Sequence, residues 1–146
     1  MILNDIYNIS CEQGIEKLKK TDYKVDCIIT SPPYNLDHKY DYYKDSKPLN
    51  EYIKWLRGIF KNCRDILIEG SSVCINIGDS KNGSIPTHSY IIQFMLELDY
   101  KLLSTIIWNK NHVTPRTSWG SWMSPSCPSF PTPFEFTSFF RFVSEY

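Results

Sequence analysis

Apolar residues along this chain change their spacing several times, and each change marks an element. Val25-Asp26-Cys27-Ile28-Ile29-Thr30 is a short β-rich run behind the turn Thr21–Lys24, and it predicts a buried strand. Ile2 to Ile9 reads as an earlier strand. Ser10-Cys11-Glu12-Gln13 has the spacing of a capping box, and Ile15 and Leu18 give a helix from Cys11 to Lys20 an apolar side. A polar loop with Tyr40, Tyr42 and Tyr43 occupies Asn35 to Pro48. Ile53, Leu56, Ile59, Phe60, Cys63, Ile66 and Leu67 then recur at helical spacing, predicting a helix capped by Asn50 and stopped by Gly70. Ser71 to Ile77 predicts a strand ended by Gly78-Asp79. Pro86 and Thr87 open a helix with Tyr90, Ile91, Phe94, Met95 and Leu98 on one face, and Leu102 to Trp108 is a further strand. Five prolines between Asn109 and Pro133 argue against regular structure there, and Phe136 to Val143 is the last candidate strand.

Strands alternating with helices indicate an α/β fold, a parallel sheet with helices on both faces. Ligands of such sheets bind beyond the carboxyl ends of strands. Ser31, Gly78-Asp79 and Asn109-Lys110 all follow predicted strand ends, so they are expected on one edge.

The chemistry concentrates at Thr30-Ser31-Pro32-Pro33-Tyr34-Asn35. Two prolines remove two N–H donors, fix φ, and push their predecessors into extended conformations. The turn therefore offers carbonyls and the Ser31 hydroxyl as acceptors, beside the flat face of Tyr34. That suits gripping a planar base with an exocyclic NH2. The bland alternative is a rigid Pro-Pro turn with a packing tyrosine.

This stretch resembles the catalytic motif (Asp/Asn/Ser)-Pro-Pro-(Tyr/Phe/Trp) of the DNA amino-methyltransferases, which modify cytosine N4 or adenine N6 with S-adenosylmethionine. Ile6-Tyr7-Asn8-Ile9-Ser10-Cys11 resembles the strand before their catalytic strand. Thr117 to Trp122 and Pro133-Phe134-Glu135-Phe136 resemble a segment following the catalytic half. The resemblance implies a Rossmann-like methyltransferase sheet and double-stranded DNA as substrate. It implies Ser31, Pro32, Pro33 and Tyr34 as catalytic residues, with Ser31 and Pro32 also against the cofactor. Many members carry an acidic cofactor ligand where this chain has Ser10, which can accept one hydrogen bond but also suits a helix cap. A restriction endonuclease acting on the same site is a further implied partner. The Ser form of the motif leans toward cytosine N4.

Composition sharpens this picture in places. The chain has 146 residues and a formal net charge of zero, which by itself does not advertise nucleic-acid binding. Between Asp99 and Glu135, however, there is no acidic residue, and Lys101, Lys110, Arg116 and His112 lie among Trp108, Trp119 and Trp122. Asn35, Lys39, Lys110, Arg116, Trp119 and Trp122 are the candidate DNA contacts; a solvated loop is the alternative. Five scattered cysteines without a Cys-x-x-Cys pair imply neither metal nor disulfides. Cys127 does not suit cytosine C5 chemistry, since Ser126-Cys127-Pro128 reverses the Pro-Cys order. His38, His88 and His112 are too dispersed for a ligand set and read as surface residues. Asp79 is either a sheet-edge carboxylate or a turn former. No apolar run could span a membrane, and the cytoplasm is the expected compartment.

The six glycines form no Gly-x-Gly, the turn that lets backbone approach a nucleotide-type cofactor. In a permuted class of the family that turn follows the catalytic motif. The expected organisation is a catalytic half over 1–110, then an irregular segment and truncated tail over 111–146. The sheet is then incomplete at the C-terminal side, and the chain is a fragment of doubtful activity. A remnant that binds DNA or a partner without cofactor or catalysis is the alternative.

Overall fold

A computed structural model describes residues 4–41, 43–80, 84–111 and 133–143. Three helices and four strands follow in the order α1 (Cys11–Lys19), β1 (Val25–Thr30), α2 (Leu49–Cys63), β2 (Leu67–Ile77), α3 (Thr87–Glu97), β3 (Tyr100–Asn109) and β4 (Phe134–Phe142). A single 3-10 turn, Arg64–Ile66, joins α2 to β2. Residues 4–9 form no strand, which corrects the expectation for Ile2 to Ile9. Ile6 is 95% exposed and contributes nothing to the core.

The sheet order is β1-β2-β4-β3. β1 and β2 are parallel, as α2 between them requires, whereas β4 runs antiparallel to both β2 and β3. The tail is thus not peripheral to the sheet. Residues 112–132 lie outside the described residues, but Phe134–Phe142 fills the slot between β2 and β3 and so belongs to the same sheet as β1.

Strand periodicity explains the core. Ile28, Val73 and Phe140 share one row, and Ile29, Cys74 and Phe139 share the next, so the two rows face opposite sides. The first row points to the helices. Val73, Ile75, Ile77 and Phe140 are buried there against Tyr52, Leu56 and Phe60 of α2 and Ile91 and Met95 of α3. Full burial of such side chains contributes about 1.5–3 kcal/mol each. α1 packs on α2 and α2 on α3, forming one helical layer. The described helices therefore cover one face; on the other, Ile29 is 79% exposed.

The long helix departs from expectation at its end. It does not run to Gly70; β2 begins at Leu67, and Gly70 sits inside the strand at φ +79°. The pairing jumps from Val25–Leu67 to Cys27–Ser72 across this point, a bulge that only a residue tolerant of positive φ relieves easily. Among the described residues no helix is long and apolar enough to cross a membrane.

Candidate active site

Ser31 leaves the carboxyl end of β1 exposed, while Pro32 is buried beneath it. The turn is held from below. Tyr52, fully buried in α2, donates its hydroxyl to the Pro33 carbonyl at 2.5 Å, and Ser80 donates its Oγ to the Tyr34 carbonyl at 2.7 Å. A rigid Pro-Pro turn is thus anchored to the ends of two neighbouring elements, α2 and β2.

Tyr34 swings over the strand ends. Its ring lies against Gly78, where an added Cβ would stand 3.1 Å from Cε2 of the ring. Its hydroxyl is 3.1 Å from Ser31 Oγ and accepts from Asn76 Nδ2 at 3.0 Å. The same Asn76 nitrogen donates to Glu135 Oε2 at 2.6 Å, and Asn76 Oδ1 accepts from Thr137 Oγ1 at 2.8 Å. Glu135 in turn is ion-paired with Lys110 and shares the Asn76 donor with the Tyr34 hydroxyl. The result is one polar network joining β1, β2, β4 and the end of β3. Burial pushes the Tyr34 phenol up to about 12, reinforced by the nearby Glu135 carboxylate and opposed by the Ser31 and Asn76 bonds. Burial would raise Glu135 too, but the bonds from Lys110 and Asn76, with the Tyr34 phenol nearby, outweigh it and hold its carboxyl below the usual range.

The loop after Tyr34 has a built base. Asp45, 1% exposed, accepts from the amides of Asn35 at 2.9 Å, Leu36 at 3.0 Å and His38 at 3.2 Å. Asn35, at φ +60°, exchanges two hydrogen bonds with the Lys47 backbone. This explains how a segment poor in aliphatic residues closes on itself. Beyond that base, Lys39 and Lys44 form an isolated antiparallel bridge, and Tyr40 is 51% exposed.

Several expected site residues have other occupations. Ser10 caps α1: its Oγ accepts from Gln13 N at 3.2 Å and its N–H donates to Gln13 Oε1 at 3.3 Å. Both polar atoms of Asn35 close the loop, and the Lys110 charge is engaged with Glu135. Lys39 is exposed. Asp79 bridges β2 to α3, accepting from the His88 amide and lying 2.7 Å from its Nδ1. His88 is accordingly a half-buried, packed residue rather than a free surface one; its ring stacks on Phe136 at 3.7 Å. Among the described residues no cluster could hold a metal. Arg116, Trp119, Trp122, His112 and Cys127 lie outside the described residues.

Gly78, Asn76 and Glu135 are the site residues that sequence reasoning missed as such. Gly78 and Glu135 each lie in a segment already singled out, but nothing in the linear pattern links them to Tyr34. A cavity of about 390 Å³ lies between α1, β1 and α2, with Ser31, Pro32 and Pro33 in its wall beside Ile15, Trp55 and Ile59. Its size and apolar lining fit a flat ring, with the Ser31 hydroxyl as a polar atom. Charged partners for an amino-acid group are not among its lining residues.

A model of the DNA methylase family N6_N4_Mtase matches residues 25–143. The type II methyltransferase M.MjaVI of Methanocaldococcus jannaschii is 37% identical over 113 residues, covering 76% of this chain and 58% of the relative. The type II methyltransferase M.BglII of Bacillus subtilis is 31% identical over 113 residues, covering 75% of this chain and 30% of the relative. The fold matches the M1.HpyAVI–SAM complex with a TM-score of 0.66 at 20% identity, over 97% of this chain and 54% of that one. The chain thus spans little more than half the length of M.MjaVI and less of M.BglII. With the family match extending over both the Ser-Pro-Pro-Tyr turn and the strand that carries Glu135, this chain belongs to the N6/N4 DNA methylase family.

Proposed function

We propose that this chain carries the base-binding catalytic half of a DNA methyltransferase that methylates the exocyclic amine of a flipped base, cytosine N4 in preference to adenine N6. The observation that carries the reading is the fixed placement of Ser31 and Tyr34 at one strand end. S-adenosylmethionine is the methyl donor that the family implies, and Ser31 and Pro32 are the residues that would border it. Double-stranded DNA is the substrate, Lys39 on the exposed loop tip a contact to its backbone, and a restriction endonuclease of the same specificity a functional partner in the cytoplasm.

The lone pair of an aromatic amine is delocalised into the ring, so the nitrogen is a poor nucleophile. Acceptors on its N–H bonds favour a tetrahedral nitrogen and release that pair. Ser31 Oγ is the exposed acceptor here, with the Pro32 carbonyl as the second. The Tyr34 face stacks on the base, a contact of about 1–3 kcal/mol, comparable with the few kcal/mol that extrusion from the duplex costs. Positioning and electrostatics carry the reaction, and no covalent nucleophile takes part.

The test is nucleoside mass spectrometry of DNA exposed to the protein expressed from its native locus, alongside Ser31→Ala. N4-methylcytosine in the wild type and its loss in the variant are expected. N6-methyladenine alone would overturn the cytosine preference. DNA binding without any methylated nucleoside would favour the non-catalytic reading.

A further inference from the structure

The hydrogen bonds around the Ser-Pro-Pro-Tyr turn fix one another's direction and leave one proton aimed at the substrate. Resting on the reading of Ser31 and Pro32 as acceptors of the target amine, we infer that Ser31 Oγ also donates its own proton to the ring nitrogen beside that amine. Asn76, oriented by Glu135, is the positioning residue that imposes this polarity through Tyr34.

The polarity is set from β4 inward. Glu135 is ion-paired with Lys110 and, as a carboxylate, can only accept. Its Oε2 lies 2.6 Å from Asn76 Nδ2, so the amide presents its nitrogen there. Asn76 Oδ1 then faces Thr137, whose Oγ1 donates to it at 2.8 Å. An amide NH2 carries two protons, and the second goes to the Tyr34 hydroxyl oxygen at 3.0 Å. Tyr34 therefore accepts on one side and directs its own proton to the other, where Ser31 Oγ stands 3.1 Å away.

A serine hydroxyl has one proton and two lone pairs. Tyr34 takes one lone pair of Ser31 and is its one hydrogen-bond partner among the described residues. Ser31 is exposed at the strand end, so its proton and its second lone pair are left for the base. Had Asn76 presented its oxygen, Tyr34 would donate to that amide and Ser31 to Tyr34, leaving Ser31 with lone pairs only. The observed polarity calls instead for a substrate edge with a donor and an acceptor side by side. Cytosine and adenine both have one, an amine next to an unprotonated ring nitrogen, and extruded bases are read along this Watson–Crick edge. The Pro32 carbonyl, which has no proton to give, takes the other N–H of the amine. The Ser31 bond orients the base and occupies the ring lone pair that would compete for the methyl group; it does not activate the amine.

The test pairs a base analogue with protein variants. Duplexes carry the sequence methylated at the native locus, with the natural target base or with its deaza analogue, in which C–H replaces that ring nitrogen and the amine stays. Binding is measured with S-adenosylhomocysteine present for the wild type, Ser31→Ala, Tyr34→Phe and Asn76→Leu, so no variant needs to turn over. The wild type should prefer the natural base by a factor roughly 10–10² larger than Ser31→Ala does, which is what leaving a buried donor unpaired costs. Comparing proteins on the same two duplexes removes the altered pairing of the analogue. Tyr34→Phe keeps the ring face, and it and Asn76→Leu should each shrink the preference. A merely structural defect would weaken binding of both duplexes alike. An equal preference in the wild type and Ser31→Ala would overturn the donor role of Ser31 while leaving methylation of the amine standing. The full wild-type preference in Tyr34→Phe and Asn76→Leu would overturn the positioning role of Asn76. Absence of methyl transfer by the wild type, with its preference intact, would overturn the catalytic reading alone.

Discussion

Replacing Asp45 with Ala should loosen the base of the loop that follows Tyr34 without unfolding the sheet. One buried carboxylate gathers the amides of Asn35, Leu36 and His38, and its own carbonyl accepts from the Asp37 amide at 2.7 Å. A hydrogen bond to a charged group contributes about 1.5–3 kcal/mol net. Three bonds on one carboxylate are not additive, and water satisfies part of what opening exposes. Local opening should become easier by about 3–4 kcal/mol, which corresponds to roughly 10²–10³-fold faster amide exchange. The assay is hydrogen exchange at the amides of Asn35, Leu36 and His38 in wild type and variant. Asp45→Asn, which keeps one acceptor, should fall between them. Exchange at wild-type rates in Asp45→Ala would show that the carboxylate does not hold the loop. The same architecture divides the loop in function: its base should be protected with or without DNA, and only residues 39–44 should gain protection when DNA binds.

Gly78→Ala should slow methyl transfer more than it lowers Tm, because its Cβ meets the Tyr34 ring at 3.1 Å and the ring must move; unchanged kinetics would mean the ring yields without consequence. Tyr52→Phe should lower stability by about 1–2 kcal/mol, since the Pro33 carbonyl loses a buried donor, as read by denaturant unfolding. The Lys110 and Asn76 contacts hold the Glu135 carboxyl below its ordinary value of about 4.5, so its contribution to stability is present above that value and lost as pH falls through the folded pKa. Acid unfolding of Glu135→Gln should therefore be less pH-dependent below about pH 4.5 than that of the wild type.

Local sequence determined a good deal of this protein. Val25–Thr30 is a strand at the limits its β-branched run dictates, Ser10 and Gln13 cap α1 reciprocally, and Pro86 marks the start of α3. The Ser-Pro-Pro-Tyr turn was legible because prolines act through their own covalent geometry. The sequence did not reveal that β4 lies between β2 and β3, since strand neighbours depend on packing across the whole sheet and hydrophobic alternation does not encode order. Nor did it reveal the early start of β2, where helical spacing through Ile66 and Leu67 continued past the point at which sheet pairing takes over. Asn35 and Lys110 looked available because polar side chains carry no sign of distant partners in linear sequence. Their partners lie 12 and 25 positions away, whereas that of Ser10 lies three away and its capping role is readable locally. Tyr34, Asn76 and Glu135 come from three separate strands or strand ends, brought within hydrogen-bonding distance by a fold in which parallel β2 and antiparallel β4 place a carboxyl end beside an amino end.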